Sequence, residues 1–153
     1  MLLFLLSFDI STNTSLINSP QVINLLLVVD DYFGINYYNI KENFESYSNN
    51  EFEWNITTAG TSLEVDPCDF ENNTEILHPD ILLLNIINNY NQFDCISIMP
   101  GKMHLNLESS NETLQMIESA YHDGIIITSW CRAIKVLFAA NILEGKNITG
   151  SIV

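Results

Sequence analysis

Three cysteines (Cys68, Cys95, Cys131) and three histidines (His78, His104, His122) are the side chains of this sequence that offer nucleophilic or metal chemistry. Their spacing includes no C-x-x-C and no H-x-x-x-H, so neither a zinc site nor a disulfide framework is encoded. An odd number of thiols fits a reducing compartment. What remains is single-thiol chemistry, in which the place of the thiol in the fold decides whether it reacts or merely packs. The cations are just as few. Lys41, Lys102, Arg132, Lys135 and Lys146 face 19 acidic residues, for a formal net charge of −14. Such a chain cannot neutralise a phosphate backbone, which nearly excludes nucleic-acid binding and disfavours docking on anionic lipid. A small molecule or a protein partner is left.

The elements that must position these groups are legible in the hydropathy pattern. With 153 residues, 47% hydrophobic and 16% charged, the chain is expected to form one domain with a real core. Residues 22–29 (VINLLLVV) read as a strand buried on both faces. Residues 35–47 carry a helical stripe, and 52–58 alternate as a second strand. Residues 60–79 are loop-like, and 81–87 form another apolar run. A short strand at 93–99 ends at Pro100-Gly101. A helix capped by Ser109 or Ser110 runs to about Tyr121, followed by a strand at 125–129 and a helix over 132–143 that Gly145 ends. One more strand is expected at 148–153. Strands alternating with helices predict an α/β fold with a mostly parallel sheet and helices on both faces. Ligands in such sheets sit beyond the carboxyl ends of the strands, which singles out Asp30–Asn36, Pro100–Asn106 and Ser129–Ala133. Cys131 falls in the last of these. Cys68 and Cys95 read as buried packing cysteines.

Several of these features occur in a familiar order. Ile98-Met99-Pro100-Gly101 ends a strand, Ile125-Ile126-Ile127-Thr128-Ser129 forms the next, and Trp130-Cys131-Arg132 makes a sharp strand-to-helix turn. The tail Ala140-Asn141-Ile142-Leu143-Glu144-Gly145-Lys146-Asn147-Ile148-Thr149-Gly150 closes the series. In this the chain resembles the PfpI/ThiJ family of the class I glutamine amidotransferase-like (DJ-one) superfamily. The resemblance implies a flavodoxin-like three-layer sandwich over 21–153 with a cysteine-bearing elbow, and an apolar arm and linker at 1–20. It implies that Cys131 takes the place of the reactive cysteine, where a helix N-terminus favours a thiolate. The family normally continues past this point with further strands and a closing helix, so the expectation is either that the sequence is a fragment or that it leaves a surface for a second copy or a partner chain.

The sequence departs from that family where proton transfer is needed. Arg132-Ala133 follows the cysteine in place of the usual His. Asn36 falls at the position of the acid after the first strand, Asn106 at that of a further Glu, and Lys102 at the second Gly of the Pro-Gly-Gly turn. Arginine does not deprotonate in proteins, and an Asn amide has no proton to shuttle. His104 is the one nearby group that could substitute. The expectation is therefore a degenerate, non-peptidase site: Cys131 as candidate nucleophile or redox thiol, with Gly101, Lys102, Arg132, Asn36 and Asn106 around it. Lys102 and Arg132 would attract a small anion, unless they point to solvent or pair with Asp30 or Asp31. A cysteine-dependent hydrolase or a glyoxalase/deglycase-like enzyme is the alternative. No metal or cofactor is expected. A cytoplasmic location is expected, because the apolar start (MLLFLL) is far short of the roughly 20 residues that span a bilayer and lacks the flanks of a secretion signal; secretion by that apolar start is the alternative.

Overall fold

A computed structural model describes residues 19–49, 51–68 and 75–146. Residues 1–18 of the arm and linker expected at 1–20, and the strand expected at 148–153, lie outside them. Strand β1 (Gln21–Val29) leads through helix α1 (Asn36–Ser46) to β2 (Phe52–Gly60) and, after a long loop, to β3 (Ile81–Leu82). Two 3₁₀ turns, Leu83–Asn85 and Ile87–Gln92, precede β4 (Cys95–Ile98). Helices α2 (Leu105–Ser109) and α3 (Asn111–His122) then lead to β5 (Ile126–Ser129), and a 3₁₀ turn at Cys131–Ala133 enters α4 (Ile134–Ala139). The sheet order is β3-β2-β1-β4-β5, with every pairing parallel.

β1 is central because it has side chains to bury on both faces. Leu26 and Val28 pack with Leu107 of α2, Met116, Ile117 and Ala120 of α3, and Val136 and Leu137 of α4. Leu25, Leu27 and Val29 point the other way, toward Phe33 and toward Tyr37 and Ile40 of α1. The two-residue side-chain period of a strand thus assigns alternate residues of one apolar run to two cores. Leu25 to Val28 are fully buried, a gain of roughly 1.5–3 kcal/mol per side chain. The result is the expected three-layer α/β sandwich.

Three local expectations change. The helix expected over 132–143 is only six residues of α-helix after a 3₁₀ turn. It stops because Asn141 takes a left-handed φ of 57° and the Ile142 N–H returns to the Leu137 carbonyl at 3.3 Å, a Schellman closure that Gly145 was expected to supply. The apolar run at 81–87 pairs over only two residues before turning into 3₁₀ structure. Helix α2 was not expected. Its leading amides, those of Asn106 and Leu107, donate to the Asp30 carboxylate at 3.0 and 3.3 Å, a cap supplied from the end of β1 that no local motif announces.

Candidate functional site

β1 lies between strands reached in opposite directions, so its carboxyl end opens onto the topological switch point of the sheet. The loops there are tied to one another. Gly34 N–H donates to the Pro100 carbonyl at 2.8 Å, and Lys102 N–H donates to the Tyr32 carbonyl at 2.9 Å. Phe33 bridges Gly101 on one side and Pro67 on the other. A Cβ on Gly101 would stand 3.1 Å from the Tyr32 carbonyl oxygen, so a side chain there would push these two loops apart by a few tenths of an ångström.

Beyond β5 the backbone makes its elbow. Trp130 is still extended and its N–H reaches the Ile98 carbonyl at 3.1 Å. Cys131 then takes a φ of 55°, and the chain enters the 3₁₀ turn. A left-handed conformation at a residue with a Cβ stores on the order of 1 kcal/mol. Two fastenings hold it. The indole Nε1 of Trp130 donates to the fully buried Ser97 hydroxyl at 3.0 Å, and Ala133 N–H donates to the Trp130 carbonyl at 3.1 Å. The consequence is an exposed Cys131 thiol, whereas Cys68 and Cys95 are buried. α4 itself is too short for its dipole to count as a separate source of thiolate stabilisation.

Among the described residues, Cys131 shares a cavity of about 220 Å³ with Gly34, Asn36, Cys68, Pro100, Gly101, Lys102 and Arg132. Five sequence candidates therefore converge with the thiol's surroundings: Asn36, Gly101, Lys102 and Arg132 line the cavity together with Cys131. Arg132 donates from its guanidinium to the Lys102 carbonyl at 3.3 Å, and the Lys102 ammonium stands 5.8 Å from the centre of the Tyr32 ring. Two of the chain's five cations thus stand at this one cavity. A larger groove of about 340 Å³ runs along Ile40, Asn43, Phe44, Tyr47 and Trp130, and no thiol or carboxylate among the described residues lines it.

Two candidates lie elsewhere. His104 is buried, and its Nε2 is committed to the Met99 carbonyl at 3.0 Å. Asn106 lines a different cavity, with Asp31, Thr61 and Ser110. Its amide donates to Asp30 at 2.8 Å and to Asp31 at 3.2 Å. Asp30, buried itself, also accepts from Asp31 N–H and Thr61 Oγ1, both at 2.9 Å. This carboxylate therefore acts as a structural hub joining β1, the loop after β2 and α2. One lining residue was missed. Cys68 follows β2, and the rule that placed attention on three strand-end loops applied to this fourth loop as well.

Neither a protein-family model nor a curated protein matches the sequence. Solved structures do match in three dimensions. Drosophila melanogaster DJ-1beta superposes with a TM-score of 0.63 at 16% identity, covering 80% of this chain and 62% of that one. A ThiJ/PfpI domain protein from Brachyspira murdochii gives 0.64 at 13% identity over 88% and 72%. A protein described as putative protease I from Bacteroides thetaiotaomicron gives 0.68 at 12% identity over 85% and 75%. The chain has the DJ-1/ThiJ/PfpI fold, a flavodoxin-like sandwich, as the sequence features implied. It spans less than two thirds of the length of the Drosophila protein. Among the described residues, no helix is long and apolar enough to cross a membrane, and no group of three or more His, Cys, Asp or Glu side chains is placed to hold a metal ion.

Proposed function

We propose that this protein is a non-peptidase member of the DJ-1/ThiJ/PfpI group whose working group is Cys131, a redox-responsive thiol in a pocket that admits a small anion. One observation carries the reading: an exposed thiol held on a left-handed elbow, in a cavity lined by Lys102 and Arg132 and by no described His, Asp or Glu. Peptide hydrolysis by a thiol needs a partner that takes and returns a proton near neutral pH. Arg132, Lys102 and Asn36 cannot serve, and the His104 ring is already bonded to a main-chain carbonyl. Oxidation of a thiol, or capture of a carboxylate or phosphate beside it, needs no such shuttle. Guanidinium and ammonium groups suit that second task through charge-assisted hydrogen bonds.

The test is alkylation by iodoacetamide, followed for each cysteine by mass spectrometry across pH, with and without phosphate or acetate. Cys131 should react in the folded protein while Cys68 and Cys95 lag, the anion should slow Cys131, and Arg132→Ala should abolish that protection. Equal reaction of all three cysteines, only after unfolding, overturns the reading. So does turnover of a peptide substrate that is lost in Cys131→Ala.

A further inference from the structure

The cavity beneath the elbow has a second sulfur in its wall. Cys68 is placed there by contacts that reach across the sheet end: its N–H donates to the Phe33 carbonyl at 2.9 Å, and Pro67 before it bridges Phe33. Phe33 in turn bridges Gly101 on the opposite wall. Phe33 is therefore the spacer that sets Cys68 against the loop after β4, and Cys68 and Cys131 line one space of about 220 Å³. They differ in access. Cys131 is exposed, and Cys68 is only 6% exposed. The third thiol, Cys95, sits within β4 among Leu25, Leu27 and Met99, and does not line the cavity. One thiol can meet a dissolved oxidant, and one waits behind it.

We infer that Cys68 is the resolving thiol of Cys131, so that the oxidised protein carries an intramolecular Cys68–Cys131 disulfide. This rests on the reading of Cys131 as a redox-responsive thiol, and it names hydrogen peroxide or an organic hydroperoxide as the oxidant. In the first step the Cys131 sulfur attacks a peroxide oxygen. The S–O bond forms as the O–O bond breaks, leaving a sulfenic acid and one molecule of water or alcohol. In the second step the Cys68 sulfur attacks the sulfenyl sulfur. The S–S bond forms, the S–O bond breaks, and the departing hydroxide takes the Cys68 proton to leave as water. Two thiols lose two electrons and the peroxide gains them. A disulfide holds its two Cα atoms within roughly 7 Å of each other, so the linkage would fix the Cys68 and Cys131 walls of the cavity against one another and narrow the anion pocket. Without Cys68, the sulfenic acid has no second thiol in the cavity, and a second peroxide oxidises it to the sulfinic acid, itself reduced to water or alcohol.

The experiment is treatment of the dilute, folded protein with one equivalent of hydrogen peroxide, then non-reducing peptide mapping. The expected result is a mass loss of two hydrogens and a linked peptide pair containing Cys68 and Cys131. In Cys68→Ala the expected product is Cys131 bearing one added oxygen, and a second after a further equivalent of peroxide, and in Cys95→Ala the linkage should persist. If Cys68→Ala does not fold, the wild-type map alone decides. Oxygenation of Cys131 with no linked pair, in wild type and Cys68→Ala alike, overturns the disulfide and leaves the reading of Cys131 standing. A Cys131 that peroxide does not touch overturns both. A linkage found only between two chains overturns the resolving role.

Discussion

Replacing Cys131 by alanine and by glycine separates what its side chain does from what its backbone stores. The thiol is exposed, so deleting it forfeits little buried surface. The two variants then differ by one methyl group at a φ of 55°. A Cβ in the left-handed region costs about 1–2 kcal/mol. Glycine escapes that cost but gives back about 0.5–1 kcal/mol through its freer unfolded chain. The balance favours Cys131→Gly over Cys131→Ala by about 0.5–1 kcal/mol. In a chain of this size that is a Tm difference of about 1–4 °C, and a shift in urea midpoint with the slope unchanged. Both variants should lose the fast-alkylating thiol. An alanine variant as stable as the glycine variant, or more so, would show that the elbow is relaxed, and the argument that the fold holds this cysteine under strain would fail.

Three further outcomes follow from other contacts. Asp30→Ala leaves the amides of Asn106 and Leu107 without their acceptor and should cost on the order of 3 kcal/mol; a loss under about 1 kcal/mol in urea unfolding would contradict the hub role. Ser97→Ala removes the acceptor of the Trp130 indole; it should cost about 1 kcal/mol and increase acrylamide quenching of tryptophan fluorescence, and unchanged quenching would mean that the indole is held otherwise. Burial, with the nearby Asp94 charge second, pushes the Cys95 thiol up to about 11, and burial also raises Tyr37. Because the folded protein holds the Cys95 proton more tightly than the unfolded chain does, its contribution to stability is complete below about pH 9 and is lost as pH rises through about 11, by on the order of 2–3 kcal/mol. Urea midpoints between pH 8 and 11 should therefore fall less steeply in Cys95→Ala than in wild type. Parallel curves would refute the assignment.

The sequence by itself determined the frame. The apolar run at 22–29 reads as a strand buried on both faces, and its second half, Leu25 to Val29, is buried while Val22 stays exposed. The Ser110 hydroxyl accepts from Thr113 N–H at 3.2 Å and starts α3 as a local cap should. The strand at 126–129 followed at once by Trp130-Cys131-Arg132 marked the elbow. These signals span a few residues each, so they can be read along the chain. Only the tertiary structure decided which side chains meet. Asn106 and His104 lie close in sequence to Pro100-Gly101, yet one is drawn to Asp30 and the other to the Met99 carbonyl. Cys68, more than sixty residues from Cys131, shares its cavity because Phe33 and Pro67 bridge two loops. Such non-local bonds set the loops' conformation, and that is why the place of Cys68 in the pocket wall, and the diversion of Asn106 and His104 away from it, were hidden from the sequence.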